Sequence, residues 1–158
     1  MLIEKKIAQL LTAQKKTLSV AESCSGGLLC HWLTNIPGSS NFLKLGLVVY
    51  SNDAKIKFLK ISLQTIKKHG AVSQTVARQM AGNVRKIFKT DFGIAITGIA
   101  GPGGGSPAKP VGLTFIALST KKKIVCQKFV FKENRLRIKS QTATQAFKMF
   151  LKLISSHQ

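Results

Sequence analysis

Acidic side chains are nearly missing from this sequence: Asp and Glu together number 5 among 158 residues, against 25 Lys and Arg. The acids are Glu4, Glu22, Asp53, Asp91 and Glu133, scattered along the chain. Hydrolysis by a carboxylate pair, and metal sites built from several carboxylates, need clusters that such a chain barely has. Histidine is as scarce, with His31 mid-helix beside Trp32, His69 alone, and His157 the penultimate residue. The cysteines Cys24, Cys30 and Cys126 are odd in number and scattered, so they form no disulfide framework, and Cys24 and Cys30 lie too far apart for a CxxC pair. Without a matching histidine cluster they do not read as zinc ligands. Neither a metal nor a cofactor is expected. Aromatic residues make up 7%, with one Trp and one Tyr, a poor supply for a base-stacking platform. No apolar run approaches the roughly 18–20 residues that span a bilayer. The first residues, MLIEKKIAQLLTAQKK, lack the apolar region and cleavage site of a signal peptide. A cytoplasmic protein without a membrane partner is the expectation.

What the chain has in excess is positive charge, +20 net. Charge of this size attracts nucleic acid and other polyanions. The lysines are spread along the whole sequence, without an arginine-rich tail or a repeated basic motif, so they read as a solvated surface. Nucleic acid is therefore not the expected partner, and the same charge favours a phosphate-bearing small substrate.

At 44% hydrophobic and mean hydropathy +0.12, the chain is globular and long enough for one domain, residues 1–158. Apolar spacing predicts helices at about 2–14, 25–34, 53–59, 62–68, 73–88 and from 135 onward. Strands are predicted at 18–22, 43–51, 92–97, 111–119 and 124–131, the last two as a hairpin. Leu45–Val49 is almost continuously apolar, as expected for a central strand. The order implies an α/β fold, a three-layer α/β/α sandwich with a mixed sheet. In such folds ligands bind beyond the carboxyl ends of strands. AESCSGG, YSNDAK and TGIAGPGGGS leave strands there.

AESCSGG would present Ser23, Ser25 and free amides near Gly26 and Gly27 at a helix start, a natural anion site, although Ser25 also suits an ordinary N-cap. It is neither GxGxxG nor a P-loop. GIAGPGGGSPAKP is rich in glycine, and a loop of this length inside a compact domain is usually functional; Lys109 could neutralise a phosphate there. GSSNFLKLGLVVYSNDAK sets Ser40 before a strand and Tyr50 and Lys55 after it. Serine needs a base to act as a nucleophile, and a lysine stripped of water and surrounded by cations can be one. Along a straight strand Ser40 and Tyr50 would stand roughly 30 Å apart, so this chemistry requires the chain to fold back. The residues alone equally allow Ser40 as a cap, Tyr50 as a strand-end aromatic and Lys55 as a surface cation. YSNDAK is not the YxxxK of short-chain dehydrogenases.

The motif series AESCSGG, PGSSNFLKLGLVVYSNDAK, HGAVSQTVARQMA and AITGIAGPGGGSPAKPVGLTF resembles the CinA C-terminal domain family, the nicotinamide mononucleotide deamidases. The resemblance runs from about Ser19 to Ala117. It implies the α/β/α fold and metal-free hydrolysis of the carboxamide of nicotinamide mononucleotide to nicotinate mononucleotide and ammonia. By matching motifs it implies Ser40 as nucleophile, Lys55 as its base and Tyr50 as a proton donor to the departing ammonia. Ser23, Ser25, Gly26, Thr97, Gly98 and Gly101 would line the nucleotide site. The family's phosphate-contacting arginines open the last helix in a GDR-like stretch; this chain reads ENRLRIKS, which leaves Arg135, Arg137 and Lys139 as candidates. The larger N-terminal domain of longer members has no counterpart here, so the resemblance is to the stand-alone form. A small-molecule pyridine mononucleotide is the implied partner, and a homo-oligomer is expected because small α/β enzymes with apolar helix faces often dimerise. The rival readings are a nucleotide-binding module without turnover and a basic nucleic-acid-binding protein.

Overall fold

The computed structural model describes residues 2–156. The sheet has strand order β2-β1-β3-β4-β5. Its strands are β1 (Leu18–Glu22), β2 (Leu43–Val48), β3 (Phe92–Gly98), β4 (Leu113–Ser119) and β5 (Ile124–Val130). β1 is parallel to both β2 and β3, while β3–β4 and β4–β5 are antiparallel. The mixed sheet of the expected α/β/α sandwich is therefore present. Helices α1 (Ile3–Ala13), α2 (Leu28–Thr34) and α6 (Arg135–Ser155) cover one face. Helices α3 (Asn52–Leu59), α4 (Leu63–His69) and α5 (Gln74–Ile87) cover the other. Among the described residues, no helix is long and apolar enough to cross a membrane.

The two faces differ in side-chain size, because residues one apart on a strand point to opposite sides. Val20, Ile94, Ile96, Ile116 and Leu118 pack under α1, α2 and α6. The face under α5 carries a row of small residues in register, Ala21 beside Ala95 beside Ala117. This lets α5 come so close that a Cβ built on Gly93 would stand 2.3 Å from the Ala81 carbonyl oxygen. Serine caps open the helices on that side: Ser51, Ser62 and Ser73 each accept from a backbone amide three residues on.

Element starts differ from the sequence reading at two places that matter. β2 is an edge strand, not a central one, and its side chains alternate between half-buried and exposed. An apolar run does not distinguish an edge strand with one packed face from a strand packed on both. The helix expected from Ser25 begins at Leu28, leaving 23–27 as a turn.

Candidate active site

β1 ends at Glu22, so Ser23 is the first residue past the sheet, held by its amide to the Ile96 carbonyl (3.1 Å). β2 ends in parallel beside it, followed by Val49, Tyr50 and the Ser51-capped α3. From the first turn of α3, the Lys55 side chain returns under the end of the sheet. Its Nζ lies 3.0 Å from Ser23 Oγ, 2.9 Å from the Val49 carbonyl and 3.3 Å from the Tyr50 carbonyl. Lys55 is 2% exposed. No carboxylate meets it; among the described residues the ion pairs are those of Asp91 with Lys16 and Lys121. Burial holds the Lys55 amine below its ordinary pKa, with the neighbouring Cys24 acting the other way. A neutral amine has two N–H donors and one lone pair. In the structure Nζ donates to Ser23 Oγ and to both carbonyls; in the neutral form its two N–H groups would serve the carbonyls and its lone pair would face the Ser23 hydroxyl proton.

Ser23 and Lys55 open into a cavity of about 150 Å³, walled by Cys24, Tyr50, Asn52, Val72, Thr97 and Gly98 among others. A dry cavity of about this volume holds one benzene ring, so there is space for one six-membered ring and not for a nucleotide. Thr97, next to last in β3, stands in this wall and donates to the Ala71 carbonyl (2.8 Å), tying the sheet to the segment before α5. A Cβ on Gly98 would stand 2.9 Å from Cys24 Sγ and 2.8 Å from the Leu113 carbonyl oxygen, so glycine is needed for close packing here. The Cys24 thiol is pushed up to about 12 by burial and is a neutral part of the wall.

The amides of Gly26 and Gly27 are not offered to an outside anion. Gly26 N–H donates to the Ser23 carbonyl (3.0 Å), and the buried Glu22 carboxylate accepts from Ser25 Oγ (2.6 Å) and from the N–H groups of Gly27 (3.1 Å) and, in α2, Leu29 (3.1 Å) and Cys30 (3.0 Å). Ser25 is fully buried in that network, so it holds the turn and does not face a ligand. Gly26 stays at the surface with φ +64°, and a Cβ there would stand 3.2 Å from Lys139 Nζ.

The start of α6 supplies the rest of the mouth. Arg135 donates to the Gly101 carbonyl (2.6 Å) and to the Tyr50 hydroxyl (3.0 Å), linking the glycine-rich loop to the exposed tyrosine. Lys139, one helical turn on, shares that face. Arg137 lies between them in sequence, is exposed, and has no side-chain hydrogen bond. Lys109 is turned away from the pocket and donates to the His69 carbonyl at the end of α4 (2.7 Å).

Ser40 is placed apart from Lys55. It sits in a single 3-10 turn, Ser39–Asn41, before β2, exposed, with its carbonyl accepting from Lys44. Lys55 binds beyond the far end of the same strand. Six strand residues at about 3.3 Å each put roughly 20 Å between the two ends. Within one chain the extended β2 holds Ser40 and Lys55 at opposite ends; the fold brings Ser23 to Lys55. The sequence signal for Ser23 was its place directly after an apolar strand, and its partner could be found only through the β1–β2 pairing.

The family model for the CinA C-terminal domain matches residues 2–154. A protein of Caldicellulosiruptor bescii is 47% identical over 153 residues, 97% of this chain and 37% of its own length. The "CinA-like protein" of Syntrophus aciditrophicus is 45% identical over 155 residues, 98% of this chain and 37% of its own length. The chain thus spans little more than a third of the curated relatives it matches. Among solved structures, the competence/damage inducible protein CihA of Agrobacterium tumefaciens superposes with TM-score 0.93 at 37% identity, covering 96% of this chain and 93% of that one. The competence damage-inducible protein A of Klebsiella pneumoniae superposes with TM-score 0.95 at 26% identity, covering 99% and 97%.

Proposed function

Because the chain belongs to the CinA C-terminal domain family, we propose that it is an amidohydrolase acting on the carboxamide of nicotinamide mononucleotide, with Ser23 as nucleophile and Lys55 as its base. The observation that carries the reading is the buried Lys55 amine 3.0 Å from Ser23 Oγ with no carboxylate to hold its proton. The neutral amine takes the hydroxyl proton as Ser23 Oγ attacks the carboxamide carbon. The C–N bond then breaks, and the proton returns through Lys55 to the departing amide nitrogen, which leaves as ammonia. Water, deprotonated by the same amine, attacks the acyl-serine carbonyl, releases nicotinate mononucleotide and restores Ser23.

The cavity volume supports a substrate that inserts one ring and leaves its sugar phosphate outside. Arg135 and Lys139, on one face of α6 at the mouth, are the cations suited to that phosphate. Tyr50, whose hydroxyl oxygen accepts from Arg135, keeps its own proton free to donate toward the leaving nitrogen or the substrate.

The test is ammonia release from nicotinamide mononucleotide with EDTA present, comparing Ser23→Ala and Ser40→Ala. Loss of a nucleophile and its proton relay costs about 10²–10⁴-fold or more. Ser23→Ala is expected to fall by that factor, with Ser40→Ala close to the parent. Turnover that survives Ser23→Ala and disappears in Ser40→Ala would reject this assignment. A folded parent that binds the nucleotide and releases no ammonia would leave a binding module.

A further inference from the structure

We propose that the end of the sheet opposite the Ser23–Lys55 pocket binds the phosphate backbone of duplex nucleic acid. β1 and β3 are parallel and carry Ser23 and Thr97 at their carboxyl ends. Lys16 and Asp91, which lead into these strands, therefore lie at the other end. β4 runs back antiparallel with Ser119 opposite Gly93, so the lysine turn 120–123 finishes there too. The last turn of α6 joins them, where Gln14 Nε2 donates to the Ile154 carbonyl (3.5 Å). Lysines that look dispersed along the sequence are gathered by this register.

Two clefts flank the lysine turn. Lys16, Lys121 and Lys122 border one of about 280 Å³. Lys123, Lys148 and Lys152 border another of about 470 Å³, between β5 and α6. Asp91 is the acid in these linings, and it is already engaged by Lys16 (3.2 Å), Lys121 (3.8 Å) and the Thr17 amide (3.0 Å). Lys122, Lys123, Lys148 and Lys152 are exposed and have no acidic partner among the described residues. Like charges held this close repel one another, and a polyanion relieves that repulsion by exchanging its counterions for them.

The chemistry selects the class of polyanion. From β1 across β3 and β4 to β5, strand ends about 4.8 Å apart cover about 15 Å, comparable to about four steps of 3.4 Å along a duplex strand. Lysines meet the phosphates as point charges, and phosphate contacts carry no sequence information, so binding is independent of sequence. Neither cleft exposes an aromatic ring on which an unpaired base could stack; Phe92, in the first, is 5% exposed. That favours duplex over single strand.

The test measures binding of a short random-sequence DNA duplex to the intact chain over a salt series. With about four phosphates neutralised, affinity should fall on the order of 100-fold between about 50 and 200 mM salt. The double variant Lys122→Glu/Lys123→Glu should weaken binding by about tenfold or more. Lys67→Glu/Lys68→Glu, on exposed α4 positions, carries the same net charge and should stay close to the parent. Thermal midpoints confirm that both variants are folded. Equal weakening by the two variants would mean diffuse charge and overturn the proposal. So would no duplex binding at low salt, or capture by phosphatidylserine vesicles without capture by DNA.

Discussion

Replacing Lys55 by alanine tests the chemistry most directly. The side chain makes contacts of 2.9 to 3.3 Å to two carbonyls and one hydroxyl and is 2% exposed. As general base for Ser23 it should contribute about 10²–10⁴-fold, equivalent to about 3–5 kcal/mol of barrier at 1.36 kcal/mol per tenfold. The cost to folding is smaller, because a buried ammonium was not favourable to begin with. Leaving two carbonyls without a donor costs about 1 kcal/mol each, which a fold of ordinary stability tolerates. The assay is single-turnover ammonia release as a function of pH, with and without added propylamine. In the parent, kcat/KM should rise with pH through a point below the ordinary lysine pKa, since burial lowers it. In Lys55→Ala that limb should vanish, and propylamine occupying the vacated channel should restore part of the rate. Stability adds an independent sign check. A depressed folded pKa means the unfolded chain binds more protons between that value and about 10.4. Stability therefore rises with pH across this window, and Lys55→Met should flatten the rise. Turnover within tenfold of the parent, or a parent profile without the limb, would refute the reasoning.

Two further outcomes follow from the same geometry. Glu22→Ala removes the acceptor of one hydroxyl and three amides, so about 3–5 kcal/mol of stability should be lost. Calorimetry should show a midpoint about 10 °C lower. Arg135→Ala and Lys139→Ala should each raise KM for the mononucleotide about tenfold with little change in kcat, if each loses about 1.4 kcal/mol of phosphate contact. Arg137→Ala should change neither, because its side chain makes no contact at the mouth.

Much of the fold was legible in the sequence by itself. Period and punctuation set the strand Leu18–Glu22, all but the last residue of Phe92–Gly98, the hairpin joined by lysines 121–123, and the long helix that follows Ser73. These are local signals: each depends on side chains within a few residues of one another. The motif order also carried the family, and it was this resemblance that singled out Lys55, which the residues alone equally allowed as a surface cation. What the tertiary structure decided was which distant groups meet. Strand order put the apolar Leu43–Val48 segment at an edge. Parallel pairing of β1 with β2 set Lys55 against Ser23 and left Ser40 at the other end. The Gly26 and Gly27 amides that the sequence offered to a ligand went to the Ser23 carbonyl and the buried Glu22 carboxylate, and α6 separated Arg135 and Lys139 from Arg137. Antiparallel return of β4 collected scattered lysines at one pole. The reason is common to all of these. Backbone preference acts over a turn or a strand, whereas contact across a sheet depends on register and crossover, which only the packing of the whole core determines.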